Sequence, residues 1–136
     1  MSTRVRKVVA LLLAASAAFV GGWATFAPES FYRSFPGFGL HWVATDGPYN
    51  RHLVRDVGGL YLALLVISIC AALADPHMRR IAGGAWSVFS VLHFAYHVAH
   101  VDTLSTTSAW LESIALGLTL LGALVLLLPE RVPAGE

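Results

Sequence analysis

The sequence predicts an all-α fold, an integral membrane bundle of four helices, and three observations predict it. The chain is 57% hydrophobic and 12% charged, whereas an ordinary soluble domain is about 25% charged. Four apolar runs, at roughly 8–27, 53–74, 81–101 and 109–128, each approach the ~20 residues that a helix needs to cross a bilayer. None of the four keeps the polar face that a surface helix of a soluble protein carries. The 136 residues form a single domain, 1–136. A net charge of +1 gives no electrostatic footprint for nucleic acid.

The first run follows Arg4, Arg6 and Lys7. That start resembles a signal peptide, but the run continues through Gly21-Gly22-Trp23 with no small-x-small cleavage site, so it reads as an uncleaved first span. Positive charge sets the orientation. Arg4, Arg6, Lys7, Arg79, Arg80 and Arg131 fall on one side and Arg33, Arg51 and Arg55 on the other. Six against three places both termini in the cytoplasm of a multi-pass plasma-membrane protein, with the lipid bilayer as its first partner.

The connection 28–50 lies outside. It carries Phe31, Tyr32, Phe35, Phe38, Trp42 and Tyr49, rings suited to a membrane interface or to a lid over the bundle's mouth. A short interfacial helix is expected over 30–35, with turns at Phe35-Pro36-Gly37-Phe38-Gly39 and Asp46-Gly47-Pro48.

In the second span His52 and Asp56 are four residues apart and share a face, which Gly59 and Ala63 continue. Small residues at this spacing let helix backbones approach closely, so this face is expected to pack inward and carry His52 and Asp56 with it. Arg55 sits about 60° to one side. Cys70 has no partner for a disulfide and reads as apolar packing. Asp75-Pro76 marks an inner turn. In the fourth span Ser108, Glu112, Ala115, Thr119 and Ala123 form one small, slightly polar face toward the other helices, leaving the leucines to lipid.

The third span carries the chemistry. His93, His97 and His100 fall within about 60° of one another on one stripe. At 1.5 Å per residue, Asp56 and Glu112 lie roughly 5 Å inside the outer ends of their spans, His97 roughly 6 Å and His93 roughly 12 Å. Ionisable residues within a bilayer cost on the order of 2.5–3.5 kcal/mol each near its centre, so they pair, bind a metal or line a wet cavity. His52, Asp56, His93, His97, His100 and Glu112 are thus candidate metal ligands, for zinc, iron or copper, with at most two of the stripe's histidines on one ion. Haem held by one histidine from each of two helices is a less favoured cofactor. Arg55 is placed to hold an anionic group. Tyr96 flanks the stripe, where it contacts a cofactor or simply packs.

The segments Phe35-Pro36-Gly37-Phe38-Gly39, His41-Trp42-Val43, Asp46-Gly47-Pro48-Tyr49-Asn50, His52-Leu53-Val54-Arg55-Asp56-Val57-Gly58 and His93…Tyr96-His97…His100 together resemble a family of small four-span membrane proteins found mostly in actinobacteria. In layout the chain is more distantly similar to the DoxX-like four-helix group. The resemblance covers about residues 20–105 and implies a four-helix bundle in the plasma membrane. It brings no established activity and so does not choose among the chemistries above.

The leading reading is a metal-binding membrane protein, with action as an enzyme on a lipid or other apolar substrate left open. The alternative is a non-catalytic quinone-, haem- or lipid-binding protein, or an accessory subunit of a membrane complex. A homo-oligomer is compatible with either.

Overall fold

The structure is a computed structural model and describes residues 1–129; Arg131, counted above with the cytoplasmic charges, lies outside the described residues. Five α-helices carry the fold: α1 (Thr3–Phe26), α2 (Pro28–Ser34), α3 (Arg51–Leu73), α4 (Pro76–Ala99) and α5 (Thr106–Leu127). The all-α expectation holds. Three helices, α1, α3 and α5, are long and apolar enough to cross a membrane. α4 is equally long, at 24 residues, but includes Arg79, Arg80, His77, His93 and His97 and is not among them.

The long helices start where side chains satisfy their free N–H groups. Asn50 Oδ1 accepts from His52 N and Leu53 N, both at 3.1 Å. Asp75 Oδ1 accepts from His77 N at 2.8 Å and Met78 N at 3.0 Å, with Pro76 at the first helical position. Those backbone bonds, Met78's above all, hold the Asp75 carboxyl below its ordinary range, so the cap is charged at neutral pH. Ser2 and Ser105 cap α1 and α5 in the same way.

α1 packs along α3, α4 packs along α5, and α3 against α4 joins the two pairs. Glycines set how close the pairs come. A Cβ added at Gly58 would lie 2.7 Å from Thr25 N and run into Thr25 Oγ1; one added at Gly21 would lie 3.0 Å from Leu62 N. On the other pair, a Cβ at Gly83 would lie 2.9 Å from Leu126 Cβ.

This packing corrects one expectation. The inward face of α3 is Val54, Gly58 and Tyr61, not His52, Asp56, Gly59 and Ala63. Gly59 has open space where a side chain would be. Both members of the Gly58-Gly59 pair satisfy a small-residue pattern, and only the approach of the α1 backbone selects the first. That step of one residue turns the helix by about 100° and puts His52 and Asp56 on the outside. Cys70, expected to pack, is also exposed.

The core centres on Trp86, which is fully buried. Its Nε1 donates to Ser68 Oγ at 2.7 Å, and that hydroxyl donates to Leu64 O at 2.7 Å. Tyr61 and Phe89 meet Trp86 edge to face. At the end of the bundle where the chain begins, Arg6 Nη2 donates to Leu126 O and Arg79 Nη1 to Ala74 O at 2.6 Å. Both guanidinium groups sit on C-terminal carbonyls, where the last helical turn leaves acceptors and negative potential. The Met1 ammonium donates to Pro129 O at 3.2 Å.

Residues 27–50 close the opposite end. α2 leads into an antiparallel hairpin, β1 (Pro36–Gly37) with β2 (Leu40–His41), and then a 3-10 turn at Val43–Thr45. The hairpin tip has three consecutive positive φ angles, 100° at Gly37, 58° at Phe38 and 77° at Gly39, and the Phe35–Pro36 peptide is cis. Phe38 is fully exposed at this tip. Phe31, Phe35 and Trp42 turn the other way and gather with Trp23. The connection therefore covers the bundle and also presents an outward ring.

Candidate ligand cavity and its polar end

Beneath that cover lies a cavity of about 350 Å³. Phe31, Phe35, Trp42 and Val43 roof it. Val54, Val57 and Tyr61 of α3 form one wall, and Phe89, Ser90, His93 and His97 of α4 the next. Glu112, Ala115, Leu116 and Thr119 of α5 and Ser16 and Val20 of α1 complete it, with Asp46 at the rim.

Ser90, His93 and His97 reach the cavity because they follow the 3–4 spacing of one helix face. Their rings extend the aromatic core outward. Phe89 stacks on His93 with centroids 5.0 Å apart and planes at 23°, and His93 meets His97 edge-on at 4.6 Å and 77°. His97 Nδ1–H donates to Glu112 Oε1 at 3.1 Å, with the His97 side chain 20% and the Glu112 side chain 7% exposed. A partly buried imidazole thus gives a buried carboxylate its hydrogen-bond partner across the α4–α5 seam. An imidazole–carboxylate pair of this kind can hold a proton and can offer its second ring nitrogen to a bound molecule.

Other polar groups at the cavity have no such partner. The His93 nitrogens and the Tyr61 hydroxyl bond no described residue. The buried Ser90 Oγ and Trp42 Nε1 are likewise without partners among the described residues. Tyr96 OH donates to Asp46 Oδ1 at 3.2 Å, which ties α4 to the connection beside the rim.

The structure brings together His93, His97 and Glu112 from the residues singled out in the sequence. It does not bring in the rest. His52 and Asp56 pair with each other at 3.2 Å on the surface, with side chains 88% and 57% exposed. Arg55 Nε donates to Thr25 O at 3.3 Å, outside the cavity, and so holds α3 to α1 instead of facing an anionic ligand. His100 is exposed; it stacks on Tyr96 at 4.3 Å, and its Nδ1–H donates to Tyr96 O at 2.8 Å beyond the last turn of α4.

Ser90, Tyr61 and Asp46 are among the lining residues that escape the sequence reading. Ser90 lies on the histidine stripe, and its spacing gives it away. Tyr61 is found only once Gly58 is chosen as the packing glycine. Asp46 sits in an irregular segment, and no periodicity points to it.

The donor set does not fit the expected metal centre. Among the described residues no three of His, Cys, Asp and Glu converge on one point. His97 Nδ1 is taken up by Glu112, and His52 and His100 face elsewhere. The haem arrangement expected from the sequence, one histidine from each of two helices, is not brought together with His52, the one histidine on α3, which is on the surface. Compared with known proteins, the chain matches no family model, no curated protein and no solved structure.

Proposed function

We propose that the protein is a four-span plasma-membrane protein whose cavity binds an apolar small molecule bearing a hydrogen-bonding head. One observation carries this reading. The cavity is walled largely by aromatic and aliphatic side chains, yet Tyr61 and His93 line it with no hydrogen-bond partner among the described residues, next to the His97–Glu112 pair. Small-molecule sites have this composition, an apolar lining with a few convergent polar groups, and volumes of about 300–1,000 Å³. Binding is favoured over metal chemistry because the polar groups lie along the cavity instead of converging.

Two features support four spans with the covered end outside. α4 matches its neighbours in length and is packed between α3 and α5. Arg4, Arg6, Lys7, Arg79 and Arg80 gather at the end where the chain begins, which the positive-inside rule places in the cytoplasm.

The test uses the protein in phosphatidylcholine nanodiscs, titrated with tritiated hexadecan-1-ol. Saturable binding is expected. Tyr61→Phe, which removes the polar atom and little else, and His93→Phe, which keeps an aromatic ring beside Phe89, should each weaken it by about threefold to tenfold, the worth of one hydrogen bond. An absence of saturable binding, or binding indifferent to both changes, overturns the reading.

A further inference from the structure

We infer that the ligand is a single-chain lipid with an uncharged, oxygen-bearing head, and that it arrives sideways from the bilayer between α1 and α5. This rests on the reading of the cavity as a small-molecule site.

The route follows from which seams are closed. α1 and α3 meet at Gly21 and Gly58. α3 and α4 meet through Tyr61 against Phe89, 5.1 Å between centroids, and through Trp86 bonded to Ser68. α4 and α5 meet at Gly83 near one end and through His97 and Glu112 near the other. The connection roofs the mouth with Phe31, Phe35 and Trp42. The α1–α5 seam differs. Toward the end where the chain begins it is shut, with Val9 and Leu13 facing Gly122 and Arg6 on Leu126 O. Toward the connection, Ser16 and Val20 on one side and Ala115, Leu116 and Thr119 on the other line the cavity. Ala115, midway along α5, is exposed while also lining the cavity; Leu53, likewise exposed and lining, stands at the start of α3 next to the connection. The gap therefore faces the apolar surroundings of two membrane-length helices.

The size and charge of the cavity select the ligand. A volume of about 350 Å³ is near the lower end for small-molecule sites. It takes a head group and the start of one chain, and the remainder leaves through the α1–α5 gap. The lining holds two acids, Asp46 and Glu112, and no lysine or arginine among the described residues. A phosphate or carboxylate head would be desolvated beside acids with no cation to meet it. A cationic head would find Glu112 already paired with His97, while Asp46, which takes one bond from the Tyr96 hydroxyl and keeps its charge, is exposed to the screening of water. The groups left over, on Tyr61, His93, Ser90 and Trp42, are hydrogen-bonding side chains, and they suit a hydroxyl or carbonyl oxygen.

The experiment compares three photoactivatable hexadecyl probes in nanodiscs, with hydroxyl, phosphate or trimethylammonium heads and a diazirine beside the head. Labelled peptides are read by mass spectrometry. The hydroxyl probe should label α4 and α5 residues of the cavity about tenfold more than either charged probe, a difference of ~1.4 kcal/mol. Ala115→Trp, or Ser16→Phe from the facing helix if the first fails to fold, should slow labelling strongly. Leu118→Trp, on the lipid face of the same helix, serves as the control for a bulky ring on α5. Leu53→Trp, at the rim under the connection, should slow labelling less than Ala115→Trp does. Stronger labelling by a charged probe, or a larger effect at Leu53 than at Ala115, overturns this inference and leaves the binding cavity standing. No cavity labelling by any probe overturns the cavity's function itself.

Discussion

Gly58→Ala should destabilise the protein by about 1–3 kcal/mol, the usual cost of forcing a methyl into a packed contact. Gly59→Ala, one residue on, should be neutral or stabilising by up to about 1 kcal/mol, since alanine is the better helix former. The difference comes from what each new methyl meets. At position 58 the obstacle is Thr25 N, backbone of α1 at 2.7 Å, which cannot rotate away. At position 59 there is nothing within 4 Å. Thermal unfolding of both variants in detergent reads the difference. The opposite order would mean that α3 is turned by one residue, with His52 and Asp56 facing inward after all.

The second large effect lies across the α4–α5 seam. His97→Leu should cost about 3 kcal/mol or more, because it leaves the Glu112 carboxylate buried without a partner. Glu112→Leu alone should cost less, since His97 is the more exposed of the two. The double variant should recover most of the loss, as apolar replacement of a buried pair often does. Unfolding measurements on the four proteins form a double-mutant cycle, and a coupling of about 1 kcal/mol or more is expected. Additive losses would show that the 3.1 Å contact contributes nothing to the fold.

The helical architecture was legible because it depends on composition and run length, which a single sequence carries. The long helices fall close to the apolar runs, with ends shifted by a few residues to reach their capping groups at Ser2, Asn50, Asp75 and Ser105. The inward turn of His93, His97 and Glu112 was legible for a similar reason: buried ionisable residues spaced three and four apart share a face, and that face needs a partner.

The face of α3 was not legible. Adjacent glycines at 58 and 59 support two rotations equally well, and the choice rests on how α1 crosses at Thr25, a contact remote in sequence. His52, Arg55 and Asp56 then look like pocket residues in one rotation and surface residues in the other. The role of Asp46 was hidden for a different reason. It depends on a hairpin and a 3-10 turn that place an irregular segment beside Tyr96, and no local pattern encodes that return.

On the proposed four-span reading with the covered end outside, the inner face of α4 lines an apolar interior while the polar start of α3 faces water. Two single cysteines test it most directly, His52→Cys and Ser90→Cys, each in a Cys70→Ser background. Intact cells are treated with a membrane-impermeant maleimide, and parallel samples with an apolar, permeant one. The account predicts that the cysteine at 52 reacts quickly with the impermeant reagent, and that the cysteine at 90 resists it yet reacts with the permeant one. A cysteine at 90 open to the impermeant reagent, or one at 52 closed to it, would contradict the account.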